Sequence, residues 1–385
     1  MTDLPSSART SPIGLYVHIP FCIRKCHYCN FVIAPSSDQR LRADYFTALE
    51  AEAAEARARY GPIEFDTVYL GGGTPSALTT DETRRLFDLL RKNFSWKPDA
   101  EITCEVNPGE VDDEKFKAYR ALGVNRISLG VQSTNDELLK AMNRAHNAAD
   151  ARRTAAAAAS MGFGNISMDL IIRLPNQKVE DVTRSLTDIV EWNAHQVVIY
   201  DLAVHEETHF GLKRRKGELV LPGEDAHEAM FGAVERVLGD AGFGHYEVSS
   251  FARPGYESRH NLIYWRNQPY LGLGPGAFSY MGGVRYVYAQ SVARYIQKAL
   301  RGDWSRDESD TLSPEERERE TLLTGLRLRP GVKVGNFPII RGSVEAEIPS
   351  LAAAGLVEYD EGVLQLTRKG RYLAESVFTQ LSSGR

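Results

Sequence analysis

Residues 16–31 read YVHIPFCIRKCHYCNF: an apolar run that suits a strand, a proline, and then Cys22, Cys26 and Cys29 spaced C-x3-C-x2-C. Three thiolates are one short of the four that close a structural zinc or iron–sulfur site. A site left one ligand short keeps a position open for a small molecule. The spacing therefore points to a working metal centre, a cluster with one iron not held by the protein. Two plainer readings stand beside it: a Cys3His zinc knuckle completed by His18 or His27, and reduced cysteines with no ligand role. A disulfide framework fits least, because 385 residues can bury a core without one.

Outward from this loop, short apolar runs alternate with longer amphipathic or alanine-rich ones. The pattern predicts strands over 15–19, 67–70, 101–106, 126–131, 165–172 and 196–201, with helices over 44–60, 80–93, 112–122, 148–161 and 179–192 between them. Repeated β-then-α order predicts an α/β fold, a parallel sheet with helices outside it, doubly wound or curled into a full or partial barrel. The unusual residues then fall near strand carboxyl ends. The cysteine loop follows the first strand and Gly71-Gly72-Gly73-Thr74-Pro75 the second. Glu105-Val106-Asn107-Pro108 closes the third, Gln132 ends the fourth, Asp169 lies in the fifth, and Tyr200 to Ala203 end the sixth. In parallel barrels those ends converge on one ligand-binding mouth.

Each group has a chemical reason to be there. Three consecutive glycines allow positive φ and let backbone N–H groups approach a ligand; the alternative is a tight turn. Glu105 suits a ribose diol, which donates two hydrogen bonds to a carboxylate; the alternative is an ordinary exposed acid. Arg144 and Asp169 offer opposite charges for the carboxylate and ammonium of an amino acid, or else form an internal salt bridge.

The composition, 43% hydrophobic and 25% charged, is that of a globular protein and argues against long disorder. No apolar run reaches the roughly 18 residues of a membrane helix. The opening MTDLPSSARTSP lacks the apolar centre of a signal peptide, so 1–13 read as a flexible tail and the chain as cytoplasmic. A formal net charge of -5 argues against a nucleic-acid partner, and the run Lys213-Arg214-Arg215-Lys216 reads as a solvated face.

Taken in order, CxxxCxYC, GGGTP, EVNPG, GVQS and NISMDLIIRLPNQ resemble the radical S-adenosylmethionine (SAM) superfamily. Within it the chain resembles the oxygen-independent coproporphyrinogen III oxidase-like (HemN/HemW) family over nearly its whole length. The resemblance implies a partial (β/α)6 radical SAM barrel over 14–203, an extension over 204–304 covering its mouth, and a winged-helix-like domain over 305–385. It implies that Cys22, Cys26 and Cys29 ligate a [4Fe-4S] cluster whose remaining iron is chelated by SAM. An electron donor such as flavodoxin or ferredoxin would drive cleavage of SAM to a 5′-deoxyadenosyl radical. Tyr16 and Tyr28 would flank the cluster, Gly72, Gly73 and Thr74 would cradle the methionyl end, and Glu105 would hold the ribose. Gln132, Arg144 and Asp169, with backbone near Ala203 and Phe278, resemble positions that contact SAM or a second SAM.

Oxidases of this family carry a further cysteine two residues after the third ligand, where this chain has Phe31. CxYCxF and the HNxxYW element, His260-Asn261-Leu262-Ile263-Tyr264-Trp265, resemble the haem chaperone branch instead. His260 is then the candidate axial haem ligand, and Tyr264 and Trp265 the candidate porphyrin surface; the alternative is a lid. Phe278 stands where a histidine is common in the family, and Thr134 where an aromatic is. The expected activity is binding of haem and SAM and delivery of haem to a client protein. A methyltransferase using two SAM molecules and a porphyrinogen oxidase are the alternatives.

Beyond Gly302, WSRDESDTLSPEERERE predicts a linker entering a helix capped by Ser313, with Glu316 in the capping-box position. A helix over 343–355, a hairpin of 356–359 with 363–366, and a last helix from Lys369 complete a winged-helix-like pattern. Its acidic residues favour covering the barrel over binding DNA.

Overall fold

The computed structural model describes residues 11–35 and 37–383. Six strands, β1 (Gly14–Ile19), β2 (Glu64–Gly72), β3 (Ser95–Val106), β4 (Arg126–Gln132), β5 (Ile166–Ile172) and β6 (Gln196–Asp201), pair in parallel in sequence order. The helices between them lie where the periodicity puts them, and capping boxes at Thr79/Glu82 and Asn147/Asp150 fix two of the starts. Buried on both faces, β5 reads ISMDLII, with Asp169 its only position not fully buried.

The segment 204–304 lengthens this sheet at both edges, and its first part also reaches the mouth, where His205 lines the cavity and Phe210 N–H donates to His27 O of the cysteine loop at 2.9 Å. Outside β6 lie β7 (Gly244–Glu247) and β8 (Ser250–Ala252). Outside β1 lies the parallel β9 (Tyr270–Leu273), then the antiparallel β10 (Ser279–Met281), β11 (Val284–Val287) and β12 (Glu308–Thr311), completing a 12-stranded sheet. Strand β12 occupies part of the expected linker. Its ESDT side chains are all exposed at the sheet edge, so no apolar alternation marks it. Of the expected tail, residues 1–10 lie outside the described residues, whereas Ile13 is buried and its N–H donates to Asp66 Oδ2 at 2.9 Å.

The helix Arg259–Trp265 closes the floor, the end of the barrel where the strands begin. The N–H groups of Arg259 and His260 donate to the Glu101 carboxylate at 3.1 and 3.0 Å. The C-terminal domain has its own core around Leu322, Val344, Leu351, Leu364 and Val377. Its hairpin, Val357–Asp360 with Val363–Leu366, turns through Glu361 (φ 47) and Gly362 (φ 81). This domain docks along the side of the barrel: Val248 N–H donates to Arg327 O at 3.0 Å, Arg285 pairs with Glu320, and Tyr372 OH lies 3.1 Å from Nδ1 of His227, whose Nε2 pairs with Asp201 at the end of β6. No helix among the described residues is long and apolar enough to cross a membrane.

One buried carboxyl gives the fold a pH signature. Glu52 is 1% exposed, and its Oε2 accepts from Gly274 N–H and Tyr295 OH at 2.7 Å each. Burial pushes its pKa up to about 8, against the pull of those two bonds. Because the folded pKa lies above the unfolded one, this contribution to stability is full below about pH 4.3 and is lost as pH rises through about 8. The loss over that window is on the order of 3–5 kcal/mol. Glu52→Gln is expected to flatten the decline in Tm between those limits; an equal decline in both proteins would assign it to other groups.

Candidate functional site

Strand β1 ends at Ile19, and Pro20, which has no N–H, releases the chain into the cysteine loop. The buried His18 holds the loop's far end: Nε2 donates to Val32 O at 2.7 Å and Nδ1 accepts from Tyr16 OH at 3.1 Å. The near end is stitched to the turn after the helix Asp136–Ala141. His27 N–H donates to Met142 O at 3.0 Å, His27 Nδ1 to Ala141 O at 2.9 Å, and Asn143 Nδ2 to Lys25 O at 2.8 Å. Asn143 makes that turn with φ 60, a backbone its short polar side chain tolerates. With both ring nitrogens engaged, His18 is not a zinc ligand here. Among the described residues no three His, Cys, Asp or Glu side chains converge as a cage for one ion. Zinc needs every sulfur roughly 2.3 Å from one centre, whereas a cluster gives each thiolate its own iron.

The three cysteines open on a cavity of about 530 Å³ at the carboxyl ends of the strands. Tyr28 lines it from the same loop, Gly72, Gly73 and Thr74 from the end of β2, and Glu105 from β3. Gln132 and Arg144 reach it from β4 and beyond, Asp169 from β5, and Ala203 after β6. The expected convergence of six segments is what the structure shows.

The glycines serve packing more directly than ligand approach. A Cβ on Gly72, whose φ is +107, would stand 2.5 Å from the His18 ring, and one on Gly73 would stand 2.7 Å from the Pro20 backbone. Their N–H groups are engaged within the protein, Gly72 with Glu105 Oε2 at 3.1 Å and Gly73 with Ile19 O at 2.8 Å. The expectation that these two amides face a ligand gives way to a different role: they let the β2 loop lie against the cysteine loop.

Glu105 also accepts from Tyr69 OH at 2.9 Å, and burial raises its pKa to about 7. Burial raises Asp169 to about 7 as well, opposed by the Arg126 charge and by Ser128 Oγ at 3.4 Å. Arg144 does not pair with Asp169. Its guanidinium donates to Cys26 Sγ at 3.3 Å, Asn107 Oδ1 at 2.6 Å and Gly130 O at 2.9 Å. Gln132, at an irregularity in β4, has φ 66, and its Oε1 is buried without a partner, as is Arg144 Nε. Unpaired buried polar atoms are rare. An orphaned acceptor and an orphaned donor near three thiols fit a polar ligand such as SAM. Burial pushes the Cys22 thiol up to about 12 and raises Cys29 too, so these two thiols stay protonated until metal loading displaces their protons.

Five expected residues lie elsewhere. Tyr16 is bonded to His18 and packs against Tyr69 with ring centroids 6.2 Å apart, below the cavity; it does not line it. Phe278 sits in the loop between β9 and β10, behind the cysteine loop, and does not line the cavity either. His260 is 1% exposed on the floor, its Nδ1 bonded to Thr67 Oγ1 at 2.7 Å and its Nε2 to Tyr264 OH at 2.8 Å. Trp265 lies under the Arg327 guanidinium at 4.2 Å. The HNxxYW element thus forms the floor and the joint to the C-terminal domain. It does not face the mouth, because its helix buries His260 between β2 and Tyr264.

The sequence placed Asn107 and Leu202 at strand ends without giving either a role, and it did not mark the rim residues Ile33 and His205. Phe31 and Ile23 stand 66% and 60% exposed on the cysteine loop.

Comparison with known proteins follows the same lines. The radical SAM superfamily profile matches residues 16–189, and that of the HemN C-terminal domain residues 312–373. Heme chaperone HemW of Bacillus subtilis (strain 168) is 34% identical over 369 residues, 94% of this chain and 97% of its own. Heme chaperone HemW of Escherichia coli (strain K12) is 38% identical over 270 residues, 69% of each chain. The solved structure of coproporphyrinogen III oxidase (HemN) from Escherichia coli, described as a radical SAM enzyme, matches with a TM-score of 0.85 and 26% identity, covering 97% of this chain and 90% of that one. A radical SAM domain implies a [4Fe-4S] cluster and SAM. With relatives above 30% identity along almost its entire length, the chain belongs to the radical SAM superfamily, in the oxygen-independent coproporphyrinogen III oxidase-like (HemN/HemW) family.

Proposed function

We propose that this chain is a cytoplasmic haem carrier on a radical SAM scaffold, binding haem and SAM and passing haem to a client protein. The observation that carries this reading is whole-length kinship with proteins named heme chaperones, 97% of the Bacillus subtilis relative being matched. Cys22, Cys26 and Cys29 hold the cluster, Glu105 the ribose, and Gln132 and Asp169 the remaining polar edge of SAM. The cluster and SAM, when bound, supply one-electron chemistry. The chain's own residues fix the cysteine loop through His18 and Asn143 and keep water from the cavity base.

Haem lies at the mouth, against Phe31, Ile33, Tyr200 and Leu202, side chains suited to a porphyrin face, with Arg24, Asn30, Asp201 and His205 as the polar groups of the same lining. Arg24 and Lys25, exposed beside Cys26, offer positive charge to an acidic electron donor such as flavodoxin or ferredoxin. His260 reaches an iron only if its helix leaves the floor. Haem titration of cluster-loaded protein is expected to give a saturable Soret band, retained in His260→Ala. Loss of the band in that variant would mean that the floor helix swings out; no saturable binding by the unaltered protein would overturn the carrier reading.

A further inference from the structure

We propose that Arg144, Asn107 and Thr74 form a hydrogen-bonded relay joining two cluster thiolates, through which Arg144 sets the reduction potential of the cluster. This rests on the cluster assignment above and adds to it a role for Arg144 and Thr74, expected only to contact SAM, and for Asn107, expected only to close a strand at the mouth.

The relay is continuous. Arg144 Nη1 donates to Cys26 Sγ at 3.3 Å and Nη2 to Asn107 Oδ1 at 2.6 Å. Asn107 Nδ2 donates to Thr74 Oγ1 at 2.9 Å, and that oxygen lies 3.4 Å from Cys22 Sγ. Thr74 has one hydroxyl proton, directed at Gly73 O at 2.7 Å and free to rotate toward a Cys22 thiolate. Glu110 Oε1 accepts from Asn107 Nδ2 at 3.3 Å and steadies that amide from the other side.

Its geometry is tied to the loop it serves. The turn that bears Arg144 is stitched to the cysteine loop through Asn143 and His27, and Arg24 Nη1 donates to the Arg144 carbonyl at 3.4 Å. These bonds fix the guanidinium relative to Cys26. Nη2 is fully engaged by Asn107 and the Gly130 carbonyl.

Electrostatics supply the consequence. Adding an electron to a thiolate-ligated cluster increases negative charge on its sulfurs, and a partly buried cation with N–H···S contacts stabilises that reduced state. Removing the cation or releasing it from its anchor makes reduction harder. Asn107 touches no sulfur, so it is a positioning residue acting through Arg144 and Thr74.

The test is an EPR-monitored redox titration of the reconstituted full-length protein without SAM. Arg144→Gln is expected to lower the reduced-to-oxidised ratio at a fixed potential at least tenfold, about 59 mV for a one-electron couple. Arg144→Lys should recover part of that shift and Asn107→Ala should show a smaller shift of the same sign, each with the wild-type iron content. Wild-type potential in Arg144→Gln, with weakened SAM binding, would overturn the proposal and leave Arg144 a SAM contact. If Arg144→Gln failed to hold iron, an unchanged potential in Asn107→Ala would overturn it instead. A wild-type protein without any cluster signal would overturn the cluster assignment and the relay together.

Discussion

Replacing Cys22, Cys26 or Cys29 singly by alanine is expected to abolish the charge-transfer absorption at roughly 400 nm that anaerobic iron and sulfide reconstitution gives the unaltered protein. Each thiolate is one of only three the protein offers, so two remaining ligands do not retain a full complement of iron. The loss should come without unfolding. The loop is held by His18 to Val32, Asn143 to Lys25 and His27 to Met142, none of which uses a cysteine side chain. Circular dichroism and Tm of the apoprotein variants should therefore match wild type. Cys104→Ala is the contrast: it is 1% exposed in β3, so it costs about 1 kcal/mol of packing and no iron. Full iron content in any of the three loop variants would remove that cysteine from the ligand set.

Glu105→Ala should weaken SAM binding to the cluster-loaded protein roughly tenfold to a hundredfold, the value of hydrogen bonds to a charged acceptor. The pH dependence makes the test sharper. With burial and the nearby Asp169 raising its pKa to about 7 against the pull of Tyr69 and Arg126, Glu105 becomes an ionised acceptor only as pH rises through that value. Affinity for SAM in wild type should then increase from pH 6 toward pH 8, in calorimetric titrations at matched ionic strength. Glu105→Gln, which cannot ionise, should bind weakly and lose that part of the dependence, leaving whatever Asp169 contributes. A wild-type slope in Glu105→Gln would assign the titration to Asp169, which burial also raises to about 7.

How much of this was legible beforehand follows from the kind of signal each feature carries. The six barrel strands read clearly because burial on both faces writes continuous apolar runs such as ISMDLII. The site residues read clearly because βα order alone places strand ends together. Strand β12 did not, since an exposed edge strand of ESDT has no apolar side chain to show its period. His260 was misplaced for a related reason: a histidine in an aromatic-rich helix looks the same in sequence whether it faces a ligand or, as here, Thr67 and Tyr264 inside the barrel. Asn107 was visible at a strand end but its role was not, because its value lies in linking Arg144 to Thr74, partners 37 and 33 residues away.

The carrier reading is tested most directly by one paired incubation of cluster-loaded protein with SAM and a low-potential reductant. One arm receives haem and an apo-haemoprotein acceptor, the other a porphyrinogen. The account predicts that haem binds with a saturable Soret band and is recovered chemically unchanged in the acceptor, while the porphyrinogen is returned unaltered. An oxidised porphyrin product in the second arm, with no haem bound or transferred in the first, would contradict it.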